Sequence, residues 1–203
     1  MKYDDYVYLW PPRPERKVPP TTFGFYQSRG YWAQVKKNGT CTVIFARGKE
    51  VIFKTRHDDD HKAWTPKPEH IEFFQSNSTE WNVYVAELIH SKTPKIKDQL
   101  YIFDMIVDNG EQLTGVTFEE RQRMLYAKFP GGKYERDQYR IHPNVSLAMN
   151  FKTDYQHLWK SLQSEDEGLV LKDPTAKLVA CTKPTSNAGW QVKSRLPTKN
   201  YSF

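Results

Sequence analysis

The chain reads as an α+β protein, built from mostly antiparallel, twisted sheets with flanking helices. Three observations predict this class. Short runs rich in Val, Ile, Phe and Tyr recur along the 203 residues between turn signals, as strands do. Two stretches open with helix-capping residues and stand among those runs as single insertions. Strands therefore dominate, and no internal repeat organises them.

Residues 1–22 carry Pro11, Pro12, Pro14, Pro19 and Pro20 among charges and aromatics, so an extended N-terminal arm or edge segment is expected rather than a helix. Tyr31 to Lys36, Thr40 to Ala46 and Val51 to Lys54 predict an antiparallel meander with turns at Asn38-Gly39 and Gly48-Lys49. Arg56 to Pro68 is polar. Its run His57-Asp58-Asp59-Asp60-His61 holds residue types that ligate metals, yet neighbours on an extended chain do not converge on one ion, and a solvated loop is expected. Asn82 to His90 and Gln99 to Val107 are the strongest apolar runs and are expected as central strands, the second entering an Asn109-Gly110 turn. Thr117 and Glu120 form a capping box that opens a helix from Phe118 to about Phe129, closed by Pro130-Gly131-Gly132. Thr153 with Gln156 predicts a second helix through about Gln163. Strands return at Gly168 to Lys172 and Gly189 to Arg195, divided by a loop with Pro174 and Pro184.

Lys and Arg number 30 against 24 Asp and Glu, a formal charge of +6 that favours polyanionic partners. Aromatics, 14% of the chain, supply a packed core and flat faces on which bases can stack. Cys41 and Cys181 have neither zinc-ligand spacing nor the density of a disulfide scaffold, which fits a reducing, cytoplasmic setting. No charged-then-apolar leader opens the sequence, and no run approaches the roughly 18 apolar residues of a membrane span. A soluble intracellular monomer with no membrane partner is expected, of cellular or viral origin.

The first site signal is Lys36-Lys37-Asn38-Gly39. A lysine two residues before an Asn-Gly or Asp-Gly pair, ending an apolar strand, can carry a nucleotide covalently; the same four residues also describe an ordinary hairpin turn. Further signals follow in order: Arg56 in Lys54-Thr55-Arg56, Glu87 in Ala86-Glu87-Leu88, and Phe103-Asp104 in Tyr101-Ile102-Phe103-Asp104. Glu167-Gly168-Leu169-Val170-Leu171-Lys172 and Trp190-Gln191-Val192-Lys193-Ser194-Arg195 close the series. In this order, over residues 34 to 195, the chain resembles the covalent nucleotidyltransferases, the superfamily of ATP-dependent DNA ligases, RNA ligases and mRNA capping guanylyltransferases.

The resemblance implies a ligase-type nucleotidyltransferase (adenylation) domain with its nucleotide pocket between the sheets. ATP and Mg²⁺ or Mn²⁺ would be the cofactors, and nucleic acid with 5′-phosphate and 3′-hydroxyl ends, whether RNA, DNA or hybrid, the partner. Lys36 would displace pyrophosphate from ATP to form lysyl-AMP. An ordinary lysine, with a pKa of about 10.4, is neutral in roughly one molecule in 2,500 at pH 7, so such an amine has to be deprotonated before it attacks phosphorus. Lys193, Arg195 and the metal would supply positive charge to favour that and to neutralise the triphosphate. Glu167 would bind or orient the metal, Glu87 would hold the ribose hydroxyls, and Phe103 would stack on the purine. Taken singly, Phe103 reads as core and the two glutamates as strand carboxylates; the ordered set reverses that balance. Asp104 would support the pocket or serve as a plain buried acceptor.

Gln34, two residues before Lys36, shares its strand face and would reach the adenine edge. Arg56 would contact the ribose or the strand to be joined, with an ordinary surface role as its rival, and Lys172 belongs to the nucleotide-binding set. Lys37 lies on the opposite face from Lys36 and is expected in solvent or on a substrate phosphate.

Cys41 stands where DNA ligases usually carry an arginine, and Asn38-Gly39-Thr40 looks more like RNA ligases. Phe103 to Val107, with Gly110, Leu113, Gly115, Glu120 and Arg121, resembles the DNA-ligase region instead. The last basic pair is either Lys193 with Arg195 or Gln191 with Lys193, and Lys193 belongs to both. Residues 1–203 are expected to form one nucleotidyltransferase domain, with residues 1–22 as its Pro-rich arm and no C-terminal OB domain. The expected function is an ATP-dependent polynucleotide ligase with a slight lean towards RNA-containing substrates, and a DNA nick-sealing ligase is the alternative. A GTP-dependent capping enzyme and a catalytically inactive nucleic-acid-binding module rank below both.

Overall fold

The computed structural model describes residues 8–93, 95–183 and 187–197. The first seven residues of the expected N-terminal arm and Pro184 of the last loop lie outside them. In chain order the elements are β1 (Arg13–Lys17), a 3₁₀ turn (Pro20–Thr22), α1 (Phe23–Ser28), β2 (Trp32–Lys37), β3 (Thr40–Arg47), β4 (Glu50–Thr55) and α2 (Pro68–Phe74). There follow β5 (Asn82–Ile89), β6 (Gln99–Asp108), β7 (Glu111–Gln112), α3 (Phe118–Lys128), β8 (Lys133–Glu135), β9 (Gln138–His142) and β10 (Val145–Ala148). The chain then forms α4 (Tyr155–Lys160), β11 (Asp166–Lys172) and β12 (Asn187–Arg195).

Among the described residues the strands form two sheets. The smaller has the order β1-β12-β11-β2, and the larger β4-β3-β5-β6-β10-β9-β8, with β7 paired to β6. Pairing is antiparallel except for β1 with β12 and β10 with β6, so the expected α+β class with mostly antiparallel sheets stands. The expected edge role of the N-terminal segment is met by β1. β5 and β6 occupy the middle of the larger sheet, as their apolar runs predict.

The expected three-stranded meander is corrected. β3 and β4 form a hairpin, but β2 pairs with β11 in the other sheet, so the chain crosses between sheets at Asn38-Gly39. Close approach makes this crossing a glycine position, since a Cβ on Gly39 would lie 2.4 Å from the Leu88 carbonyl oxygen and 2.8 Å from Glu87 Cγ. The turn residues therefore mark a change of sheet here.

α3 is capped as predicted: Thr117 Oγ1 accepts from the Glu120 amide at 3.3 Å, and Glu120 Oε2 accepts from the Thr117 amide at 3.0 Å. The second predicted capping box does not form. Asp154 is the N-cap of α4 in a left-handed conformation, Thr153 Oγ1 turns to Asp154 Oδ2, and Gln156 Nε2 donates to the Pro20 carbonyl at 2.8 Å. α4 also stops at Lys160, because Gln163 is drawn into a turn in which its amide donates to Asp166 Oδ2 at 2.8 Å.

One core holds the larger sheet, including Val43, Val85, Ile102 and Leu125; a second holds the back of the smaller sheet under α1 and α4. In the second core Leu169 and Leu171 are fully buried, while Val170 and Lys172 face the opposite way. A one-residue slip of β11 would expose both leucines at about 1.5–3 kcal/mol each, comparable with the whole stability of many domains. The pattern thus fixes which residues the smaller sheet shows to the space between the sheets.

Candidate active site

That space is a cavity of about 730 Å³, within the range that holds a nucleotide-sized ligand. All nine residues expected at the site line it. From the smaller sheet come Gln34 and Lys36 of β2, Glu167 and Lys172 of β11, and Lys193 and Arg195 of β12. From the larger sheet come Glu87 of β5, Phe103 of β6 and Arg56 just after β4. Residues spread over 161 positions of sequence, the separation of Gln34 and Arg195, converge because alternate residues of adjacent strands share one face.

Lys36 Nζ contacts Glu167 Oε2, and Arg195 Nη2 lies 3.5 Å from the same oxygen. A bulge aims this carboxylate: Asp166 pairs with Lys37 and Gly168 with Lys36, leaving Glu167 as the extra residue. Lys193 Nζ donates to the Pro14 carbonyl at 3.4 Å. Its ammonium is pushed below the ordinary lysine value by burial and by the positive charges of Arg195, Arg13, Lys36 and Lys17. Cations gathered on the strands of one sheet beside a cavity make it a place for an anion.

Glu87 Oε1 accepts from the Gly39 amide at 3.1 Å, which couples the sheet crossing to the pocket wall. Burial raises its carboxyl pKa, and the nearby Lys36 and Lys92 oppose that rise. Cys41 is also lodged beside Glu87; burial and that carboxylate push its thiol up to about 12, so it stays protonated and offers no rival nucleophile at neutral pH. Phe103 forms part of the opposite wall, with Lys172 Nζ 5.1 Å from its ring centroid and 4.6 Å from that of Phe118. Burial lowers Lys172 to about 8; Arg121 pushes in the same direction and Asp104 opposes it.

Gln34 is buried, and its Nε2 donates to Asn150 Oδ1 at 2.9 Å and to Gln122 Oε1 at 3.2 Å. Gln122 Nε2 in turn donates to the Phe103 carbonyl at 3.1 Å, so a chain of amides joins the two sheets beside the expected purine end. Asp104 is a buried acceptor clamped by Arg121, whose Nε and Nη2 donate to its two carboxylate oxygens at 2.9 Å each. Sequence reasoning missed Gln122 and Asn150, and it named Arg121 only within the stretch that resembles DNA ligases, without a role at the site; the available signal was that Arg121 and Gln122 stand in the capped helix α3. Arg56 Nη2 donates to the Pro11 carbonyl at 3.1 Å, tying the N-terminal segment to the mouth of the cavity.

The expectation for Lys37 is overturned. Its side chain is 3% exposed and lies in an ion cluster with Asp137 and Asp166 behind the sheet. The face assignment was right, but that face carries two buried carboxylates rather than solvent. The His57 to His61 run edges the cavity mouth: Lys54 pairs with Asp60 at 2.8 Å, and His61 stands edge-on to Trp64. Among the described residues no group of three or more His, Cys, Asp or Glu could hold a metal by itself. Glu167 nevertheless suits Mg²⁺, which is commonly bound by one or two carboxylates together with substrate phosphates. Such an ion would arrive with the triphosphate and supply charge neutralisation.

Among the described residues no helix is long and apolar enough to cross a membrane. A model of the ATP-dependent DNA ligase domain matches residues 40–183, leaving Lys36, Lys193 and Arg195 outside the matched segment. No curated protein matches the chain. The ligase domain of M. tuberculosis LigD superposes with a TM-score of 0.67 at 13% identity, over 96% of this chain and 61% of that one. A mycobacterial DNA ligase D complexed with ATP and MES gives 0.64 at 14% identity, over 96% and 62%. A Lig E DNA ligase described as binding DNA with a minimal scaffold gives 0.51 at 17% identity, over 92% and 69%. At these identities the likeness is one of fold, and the chain spans about three-fifths of the length of the two ligase D structures. With residues 40–183 matched and a ligase fold around a lysine-bearing cavity, the chain belongs to the ATP-dependent DNA ligase domain family, a ligase core of the covalent nucleotidyltransferase superfamily.

Proposed function

We propose that this chain is an ATP-dependent polynucleotide ligase that works through lysyl-AMP at Lys36. The observation that carries the reading is the meeting of Lys36 with Glu167, Arg195 and Lys193 in one cavity. The neutral amine of Lys36 would attack the α-phosphorus of ATP, forming a P–N bond as the bond to pyrophosphate breaks; the amine proton leaves to solvent or a neighbouring base. AMP would then pass to a 5′-phosphate, and a 3′-hydroxyl would attack that phosphate and release AMP. Lys193 and Arg195 would hold the phosphates. Glu87 would hold the ribose, Phe103 would take the purine face, and Gln34 would form the purine-end wall with Lys172 nearby. Arg56 would meet the ribose or the incoming strand at the mouth, and Glu167 would hold a divalent ion carried with the triphosphate.

Cys41 and Asn38-Gly39-Thr40 support a lean towards a substrate with at least one RNA strand. The matched family model favours a second reading, a DNA nick. Gel analysis of 5′-phosphorylated nicked duplexes made of DNA, RNA and hybrid strands tests both. Sealing that requires ATP, with the fastest rate on an RNA-containing nick, is expected. Sealing confined to DNA would move the assignment to the second reading, and no sealing or adenylylated strand on any duplex would overturn both.

A further inference from the structure

Lys37 and Asp166 lie directly behind the catalytic pair of the ligase reading. They precede or follow Lys36 and Glu167 by one residue and are Cα partners across β2 and β11. Lys37 Nζ donates to Asp166 Oδ1 at 2.7 Å and lies 2.7 Å from Asp137 Oδ2, an ion pair without hydrogen-bond alignment. Arg136, in the turn between β8 and β9, reaches the other oxygens: its Nε is 2.8 Å from Asp137 Oδ1 and its Nη2 3.2 Å from Asp166 Oδ2. The Gln163 amide also donates to Asp166 Oδ2 at 2.8 Å, and Tyr101 Oη donates to the Asp137 carbonyl at 3.1 Å. Arg136 Nη2 also lies 3.4 Å from Glu165 Oε1, so two cations meet three carboxylates, and three segments come together: the end of β2, the entry to β11 and the β8–β9 turn of the larger sheet.

Stability alone does not explain this arrangement. Burying ion pairs costs desolvation, and well-packed apolar residues often hold a fold as well or better. What charged, directional contacts add is a fixed geometry. Asp166 is the anchored residue immediately before the bulge, so its position sets where Glu167 projects; Lys37 sets where β2 ends, and with it Lys36. The Lys37 side chain is itself 3% exposed and its amine is held between the carboxylates of Asp137 and Asp166, so it is not free to substitute for Lys36.

We propose that Lys37, Asp166, Asp137 and Arg136 form a positioning network that holds Lys36 and Glu167 in register from the back of the sheet. The inference rests on the ligase reading for its consequence in catalysis. Reactive groups displaced by about 1 Å can lose roughly 100-fold in rate, while nucleotide contacts on the other walls remain intact. The signature is thus a fall in the rate of adduct formation without a matching change in KM for ATP.

The test is rapid-quench mass spectrometry of AMP attachment to the full chain. Lys37→Met/Asp137→Asn removes one charge of each sign and keeps Asp166 paired with Arg136. This variant is expected to unfold at a temperature close to that of the wild type, to keep KM for ATP within about 3-fold, and to form the adduct about 10–100-fold more slowly. Lys37→Arg, which can bridge both carboxylates, is expected to stay within about 3-fold of the wild-type rate. A folded double variant with the wild-type rate would overturn the proposal. Should the double variant not fold, Lys37→Gln carries the same comparison. Acetic anhydride labelling, mapped peptide by peptide, separates the two readings. If the wild type takes no AMP, the ligase reading fails, and the network is then judged by the reactivity of Lys36 relative to Lys152. A change of about 5-fold or more between wild type and double variant supports positioning of Lys36, and equal reactivity overturns it.

Discussion

Gly168 adopts φ +146°, and a Cβ there would sit 1.9 Å from the Ser194 carbonyl oxygen. The bulge that aims Glu167 therefore depends on the residue beside it having no side chain. Gly168→Ala is expected to lose about 2–4 kcal/mol, from backbone strain and overpacking together, as measured by urea unfolding; a loss below about 1 kcal/mol would show that the bulge relaxes freely. Lys172 supplies a second residue-level test. Its folded pKa of about 8 lies below the ordinary 10.5 because burial disfavours the ammonium. Between those values the unfolded chain binds the proton more readily, so this residue makes stability rise with pH across that window. The stability of wild type relative to Lys172→Met should therefore increase from pH 8 to pH 10, read by denaturant unfolding at each pH. A flat or falling difference would contradict the buried placement. Lys36 and Glu167 were legible in the sequence because their neighbours form a dense local motif. Lys37 was not, because alternation names its face, whereas its partners Asp137 and Asp166 arrive from segments 100 and 129 positions away.

At the scale of elements, β6 and α3 are joined by the Arg121–Asp104 pair, with side-chain exposures of 0% and 3%. Removing one partner leaves a buried charge, so Arg121→Met should cost about 3–5 kcal/mol, whereas Arg121→Met/Asp104→Leu should recover most of that loss. Equal losses in the single and double variants, measured by urea unfolding, would show that the pair acts through something other than charge. β5, β6 and α3 were legible because an apolar run or a capping box is local. α1, α2 and the strands β8 to β10 were not, being 3 to 7 residues long and too short to show a period. Pro68 at the start of α2, with Glu69 in its first turn, was the one available signal. The Thr153 box failed for a tertiary reason, since Gln156 is committed to the Pro20 carbonyl. β2 and β3 read as a hairpin because an Asn-Gly pair specifies a turn, while the sheet each strand joins is decided by distant partners.

At the scale of the whole molecule, the cavity exists because the chain leaves one sheet at Lys37 and enters the other at Thr40. Lys36 is thereby placed on the seam, with Lys193 and Arg195 of β12 to one side and the Glu87 and Phe103 wall on the other. The order of motifs along the chain was enough to assemble this site in outline. The amide chain through Gln122 and Asn150 and the strap from Pro11 to Pro14 were hidden, because polar contacts between distant loops leave no periodic trace. The central claim is that Lys36 accepts AMP, and intact-protein mass spectrometry after incubation with ATP and Mg²⁺ tests it most directly. Wild type is predicted to gain the mass of one AMP, Lys37→Ala to gain it more slowly, and Lys36→Ala not at all. A wild-type chain, cleared of pre-bound nucleotide with pyrophosphate and desalted, that gains no mass from ATP would contradict it, as would an adduct that survives Lys36→Ala.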